Sequence, residues 1–332
     1  MRKNKKKALR VVFGFLISLF LLYLIYRNFN FQDFFSSVKS INFKWICLFV
    51  IGSGLMILVR AYRWMKIAET KPTVRNVYFF SMVISIAGLI NMLLPLGIGE
   101  LFRAQQLKLR KKIAFGQSLS TIIVERFFDI IFLFICGILM SFFIPFPYEI
   151  RLSIFIIGLI IILFVVFIFF TKEKSVYSFL NNLTFKNRIL RLVHKFINSM
   201  IIGFSKFRQS PEKHLIVIST IGFWVLSAGV VYVKGMMLGL EFPIFTILAS
   251  MFLVNLAIVI PAAPGMFGTY HGAIFLSLHT LSGFSVQNAE GYALFAHGAN
   301  YIIMIFFGCL FILLNGLKNL VKNNLRVPKI LP

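Results

Sequence analysis

Residues 242–289 contain no Asp, Glu, Lys or Arg. A bilayer-spanning helix needs only about 20 apolar residues, so a charge-free run of 48 residues is too long for one crossing and must double back. Seven further charge-free tracts run 11–26, 45–59, 76–99, 130–148, 152–171, 215–233 and 291–317. Inside lipid a segment must satisfy its own backbone hydrogen bonds, which selects helices. Only 14% of the chain is charged and 59% is hydrophobic, against about 25% charged in soluble domains. The sequence therefore predicts an all-α polytopic membrane protein. About six full spans are expected, over 9–26, 43–59, 115–144, 152–171, 214–238 and 291–316, and the chain reads as one transmembrane unit over 1–332.

The formal charge of +25 could suggest nucleic acid, but its distribution argues otherwise. Residues 2–10 hold six Lys and Arg, 60–75 five, 103–112 five, 172–213 nine and 318–329 four. The flanks in between hold only Arg27, Lys39, Lys44, Arg151 and Lys234, while Arg126 sits within a helical tract. The positive-inside rule places the rich segments in the cytoplasm, with both termini inside, in a plasma (inner) membrane. Nucleic-acid binding would need a basic groove on a soluble fold. The basic start resembles a signal peptide, but Tyr23 to Asn30 offers no small-residue cleavage site, so an uncleaved helix is expected. Cys47, Cys136 and Cys309 are scattered through apolar tracts, without metal-ligand spacing.

Two tracts depart from simple crossings. Residues 76–99 lie between two basic segments, so a single crossing would leave one of them outside. They are expected to form a re-entrant hairpin turning at Pro95-Leu96-Gly97-Ile98-Gly99. Residues 242–289 are expected to turn at Pro261-Ala262-Ala263-Pro264-Gly265, entering from the other side. Asn91 precedes Pro95-x-x-x-Gly99 as Asn255 precedes Pro261-x-x-x-Gly265. Broken segments at matching places in oppositely oriented halves point to an inverted repeat with a site near mid-membrane. In 172–213, Ile189, Val193, Phe196, Ile197, Met200 and Phe204 recur at helical spacing among basic residues, the pattern of an interfacial amphipathic helix in a cytoplasmic loop.

With ten acidic residues in the chain, those near the tracts need an explanation. Glu125 and Asp129, four apart, share a helix face, and Arg126 is three from Asp129. Charges at membrane depth are functional by default, the alternative being snorkelling from the cytoplasmic leaflet. Glu100 and Arg103 follow the first turn, where a restarting helix would offer free N–H groups to a phosphate, or Glu100 would cap that end. Arg60, Arg63 and Trp64 close the second span, where such residues usually anchor to the interface. Thr269, Tyr270 and His271 follow Gly268 at the second tip, with His297 and Asn300 in the last span. A lone buried His is most often a satisfied helix–helix bond. No serine elbow, phosphate-binding Gly-Lys-Ser/Thr loop, metal histidine pair or dinucleotide fingerprint occurs, and no cofactor is expected.

The order Arg60-x-x-Arg63-Trp64, Asn91-x-x-x-Pro95-x-x-x-Gly99-Glu100-x-x-Arg103, Glu125-Arg126-x-x-Asp129 and Pro261-x-x-Pro264-Gly265-x-x-Gly268 resembles the lysylphosphatidylglycerol synthase transmembrane-region family, the flippase-like family, across essentially the whole chain. The resemblance implies movement of a modified phospholipid between leaflets, and other stand-alone members are linked to glycolipid or polyprenyl-lipid pathways. Longer members add a soluble aminoacyl-transferase domain, which is not expected here. Met266 and His271 stand where the family commonly has a second Gly and an acidic residue, which weakens a preference for a lysyl headgroup. The leading expectation is a lipid flippase or scramblase-like transporter acting on a phospholipid or polyprenyl-linked lipid. In it Arg60, Arg63, Arg103 and Arg126 hold the phosphate, and Glu100, Glu125 and Asp129 orient them or meet an amine. Asn255, Pro261, Pro264, Gly265, Gly268, Tyr270 and His271 form the second tip. The alternatives are a membrane transferase with Glu125 or Asp129 as base, and an accessory partner of a separate lipid-modifying enzyme.

Overall fold

The computed structural model describes residues 16, 18–94, 97–143, 148–170, 198, 201, 203–257 and 264–324. In chain order the helices are α1 (18–26), α2 (Phe31–Lys39), α3 (Phe43–Ile67), α4 (Val74–Leu93), α5 (Ile98–Lys111), α6 (Phe115–Met140) and α7 (Tyr148–Phe170). Then follow α8 (203–209), α9 (Lys213–Met237), α10 (Ile244–Ala257), α11 (Thr269–Phe275) and α12 (Val286–Asn324). Short polar side chains set several starts. Asn30 accepts from the N–H groups of Gln32 and Asp33, Asn42 from Lys44, and Thr73 from Asn76, each supplying an acceptor to a donor the helix leaves unpaired.

The chain is an all-α polytopic membrane protein. Four of its described helices, α3, α4, α9 and Val286–Gly316 of α12, are long and apolar enough to cross a membrane. At 26 residues α6 is also long enough, but it carries Glu125, Arg126 and Asp129. The second span is longer than the expected 43–59, because α3 continues to Ile67 and brings Arg60 and Arg63 into the helix.

α3 and α9 pack together and set the frame. A Cβ on Gly52 would lie 3.0 Å from Val230, while Arg63 donates to the Thr220 hydroxyl at 3.3 Å. One contact pairs an early residue of α3 with a late one of α9, and the other reverses this, so the two are antiparallel. Small residues allow such close approach where no water drives association.

The first hairpin is α4–α5. Lys111 donates to the Asn76 side chain at its open end, and Gly99 N–H donates to Asn91 Oδ1 at 2.7 Å at its tip. Gly97 begins α5 in the left-handed region, φ +67°, which glycine adopts without a Cβ penalty. A Cβ on Gly99 would run into the Ala87 carbonyl. From Asn76 to Asn91 the helix rises about 22 Å at roughly 1.5 Å per residue. The basic stretch 103–112, expected to be a cytoplasmic segment, is mostly helix here: α5 is the hairpin's returning arm.

The second hairpin is α10, a 3₁₀ turn at Pro264–Met266, α11 and a π-helical turn at Leu276–Thr280. Its arms meet through the Ser250 and Ser277 hydroxyls at 2.7 Å, and Phe242 and Phe284 close its base at 5.4 Å. The 3₁₀ turn packs against α4. Each hairpin follows the C-terminal end of α3 or α9, so the antiparallel pair makes the hairpins open at opposite ends. Both halves repeat one order: long helix, hairpin, long helix. The interfacial helix expected over 189–204 lies mostly outside the described residues. Its described end buries Phe204 and continues through Phe207 in α8, stacking edge-on against Phe127 and Phe128 of α6 at 4.5 and 4.7 Å.

Candidate functional site

Three helices bring seven charged side chains to one place. Helical spacing of three or four aligns Arg60 with Arg63, Glu100 with Arg103, and Glu125 with Asp129 on the faces of α3, α5 and α6. Glu125 is the hub. It accepts from Arg60 Nε at 2.7 Å, from Arg63 Nη2 at 3.3 Å and from Arg103 Nη2. Asp129 accepts from Arg63 Nη1 at 2.7 Å and from Trp224 Nε1 at 3.2 Å. Glu100 accepts from Arg103 at 2.8 Å and from Arg126. Two guanidiniums also lie over rings, Arg103 over Trp64 at 4.1 Å and Arg63 over Phe223 at 5.2 Å, and Trp64 Nε1 donates to Thr121 Oγ1 at 2.9 Å.

Isolated charges could not survive this burial, since each ion loses roughly several kcal/mol of hydration that only matched donors and acceptors offset. Arg63 and Glu125 are 0% exposed, whereas the side chains of Arg60 and Arg126 are 22% and 47% exposed. Arg60 and Arg126 therefore present the accessible edge. Arg63 and Trp64 are buried and hold the core together, so the interface-anchor expectation fails for them. The expected free N–H groups at the start of α5 also need correction, because the Asn91 side chain takes the one on Gly99. Glu100 instead faces Arg103 and Arg126 and makes no side-chain cap.

A cavity of about 430 Å³ opens beside the network. Arg60, Arg126, Asp129 and Trp224 line one part, Lys234, Tyr270, Tyr292 and Asn300 another, with Ser53, Ser85 and Asn255 also on its wall. Positions 53, 56, 57 and 60 of α3 and 224, 227, 231 and 234 of α9 all face it. These are helical stripes running along the antiparallel pair. The Ser85 hydroxyl has no hydrogen-bond partner among the described residues.

The second tip contributes its own polar chain. His297 Nε2 and the Tyr301 hydroxyl both lie against the Gly265 carbonyl, at 2.9 and 3.2 Å. A carbonyl only accepts, so the proton belongs on His297 Nε2. His297 Nδ1 then accepts from His271 Nε2 at 2.9 Å, and His271 Nδ1 is left without a partner among the described residues. The tautomers follow from donor and acceptor matching. Tyr270 stacks on His297, with ring centroids 4.5 Å apart. Asn255 donates to its own helix at Met251 O, 2.8 Å away. Gly265 and Gly268 have φ of +77° and +82°, and Gly268 admits the backbone of α1, since a Cβ there would meet Ser18 O at 2.7 Å. Pro264 lies in the 3₁₀ turn, while Pro261 is outside the described residues.

The cavity reaches both the network and part of the second tip: Tyr270 and Asn255 line it, whereas Gly265, Gly268 and His271 are not among its lining residues. Sequence reasoning did not place Lys234, Trp224 or Tyr292 in the site. Lys234 has the one sequence signal among them, as a basic residue beside a charge-poor flank.

A family model described as the lysylphosphatidylglycerol synthase TM region matches residues 11–308. The chain belongs to that family. No match was found among curated proteins or among solved structures. The lysylphosphatidylglycerol synthase TM-region family is a membrane-protein family linked to lipid modification or translocation, and every network and cavity residue named above falls within the matched span.

Proposed function

We propose that the protein translocates a lipid with an anionic headgroup across a bilayer, using the cavity as the headgroup's path while the acyl chains stay in the surrounding lipid. The carrying observation is the cavity itself, which joins the arginine-rich network to the second hairpin along the stripes of α3 and α9. The network holds four arginines and three carboxylates, so one positive charge is uncompensated. A phosphate at the exposed edges of Arg60 and Arg126 would balance it, with charge-assisted bonds about twice as strong as neutral ones. Glu100, Glu125 and Asp129 would act by fixing the guanidiniums.

Among the described cavity-lining residues Asp129 is the one carboxylate, and both its oxygens are engaged by Arg63, Trp224 and Arg126. This favours an anionic headgroup over an aminoacylated one, whose ammonium would find no open acceptor of negative charge. The same saturation tells against a transferase using Glu125 or Asp129 as base, since an occupied carboxylate has little room for a substrate proton. In the proposed setting the hairpins are re-entrant from opposite faces. The basic end marked by Lys66–Glu212 and Lys111–Asn76 lies in the cytoplasm with both termini, in the plasma (inner) membrane.

The test is leaflet exchange of fluorescent phosphatidylglycerol in proteoliposomes, read by a membrane-impermeant quencher. Arg126→Ala should slow exchange by about tenfold or more, the loss of one charge-assisted bond to the phosphate, and Glu125→Gln by at least as much, because three guanidiniums lose the carboxylate that orients them. Wild-type rates in both folded variants would remove the site assignment. Exchange unaffected by any cavity variant, combined with product formation by the purified protein, would favour the transferase.

A further inference from the structure

Lys234 is buried, with 4% of its surface exposed, and it lines the cavity. Among the described residues no carboxylate pairs with it. Its Nζ makes one bond, to Asn300 Oδ1 at 3.0 Å. An ammonium can only donate, which fixes the Asn300 carbonyl toward Lys234 and its amide toward Tyr270. Asn300 Nδ2 accordingly donates to the Tyr270 hydroxyl oxygen at 3.3 Å. That leaves the Tyr270 O–H and two N–H groups of Lys234 without an acceptor among the described residues, beside the same cavity. A buried cluster with donors to spare and an uncompensated positive charge is complete only when an anion supplies the acceptors.

We infer that Lys234, Tyr270 and Asn300 form a second anion-binding station for a phosphate monoester or diester, distinct from the arginine network. Lys234 and Tyr270 supply the donors and Asn300 orients them. The inference rests on the translocation reading for its role, though not for its chemistry. Trp224, which donates to Asp129 of the network, and Lys234 both line the cavity ten positions apart on α9, so the stations are separated along that helix by about 15 Å at roughly 1.5 Å per residue. That is about half of a hydrocarbon core about 30 Å thick, so the stations serve successive stages of one crossing. Ser53, Ser85 and Asn255 line the cavity with them.

Binding of short-chain phosphatidylglycerol to the purified full chain in detergent, with inorganic phosphate as competitor, tests this directly. The variants are Lys234→Met, Lys234→Arg and Tyr270→Phe, each in the Arg126→Ala background, which weakens the first station so that each loss is read against that parent. Lys234→Met should weaken binding about tenfold or more and Tyr270→Phe several-fold, from the loss of charge-assisted and neutral bonds, while Lys234→Arg retains most of it. Met removes an uncompensated buried charge, so a folded protein at least as heat-stable as the parent is expected, and a loss of binding then reports the site. Displacement by millimolar inorganic phosphate would assign the station to free phosphate, and resistance to it would assign a lipid phosphate. Equal lipid binding by Lys234→Met and its parent would overturn the station, even if Arg126→Ala still slows exchange in vesicles. Lys234-dependent binding in a protein that moves no lipid would keep the station and overturn the translocation reading instead.

Discussion

Glu125→Gln is the most informative single change in the network. The carboxylate takes bonds from Arg60 at 2.7 Å, Arg63 at 3.3 Å and Arg103, with none of its side chain exposed. Glutamine keeps the shape but leaves four guanidiniums facing two carboxylates, and it turns an amide donor toward an arginine donor. Removing one partner of a buried pair costs about 3–5 kcal/mol. Lys206→Ala is the control: its pair with Glu69 is 3.8 Å long and both side chains are about half exposed, and such pairs contribute about 0–1 kcal/mol. Unfolding in mixed micelles, followed by tryptophan fluorescence, reads both, because Trp64 and Trp224 are buried against the network. Glu125→Gln should lose several times the stability that Lys206→Ala loses. A Glu125→Gln protein within about 1 kcal/mol of the parent would refute the view that matched burial holds these helices together. In the double change Glu125→Leu with Arg103→Leu, part of the loss should return, because apolar packing replaces charges that must otherwise be desolvated.

Two further changes separate packing from polarity. Trp64→Phe removes the bond to Thr121 and weakens the ring under Arg103; about 1–2 kcal/mol should be lost in the same unfolding assay, and no loss would make the stacking incidental. Gly265→Ala places a Cβ on the Tyr301 hydroxyl and imposes a left-handed backbone on alanine, costing about 1–2 kcal/mol from the backbone alone. Amide exchange over 264–275 should speed up in this variant, and unchanged exchange would show that the tip tolerates another shape.

Much of this arrangement is legible in local sequence. Charge-free tract lengths reveal the helices and the second doubling, because lipid forbids unpaired backbone, and the basic segments on both flanks of 76–99 reveal the first. The spacings Arg60–Arg63, Glu100–Arg103 and Glu125–Asp129 reveal which face each helix presents. What the local pattern lacks is the partner. Arg63 and Trp64 resemble interface anchors until α6 brings Asp129, Glu125 and Thr121 against them from more than fifty positions away. The N–H groups of a restarting helix look available until Asn91, eight residues earlier, folds back onto Gly99. Lys234 resembles a flank charge because nothing within ten residues shows that Asn300 and Tyr270 will face it. Burial of a charge is a tertiary property, and a one-dimensional charge pattern carries it only where both partners share a helix.

Whether the cavity is the path, and not a packing void beside a structural network, can be decided at Gly88. This residue lines the cavity from α4 and touches neither cationic station. A Cβ there would meet Met304 Cε at 3.4 Å, an ordinary contact with a flexible side chain that can shift. Gly88→Ala should therefore exchange lipid at the parent rate. Gly88→Phe sends a ring toward the cavity, since the near neighbour on that side is Met304, itself a cavity-lining residue. The charge network, both hairpin tips and Lys234 keep their partners, so unfolding should move by no more than about 1–3 kcal/mol, the usual cost of an added group in a packed region. A headgroup obliged to pass the ring should cross at least about tenfold more slowly, while phosphatidylglycerol still binds at the stations on either side. Slow exchange with retained binding would separate passage from affinity, which no substitution at an arginine can do. A folded Gly88→Phe protein that moves lipid at the parent rate would exclude this cavity as the route and leave the network a structural clamp.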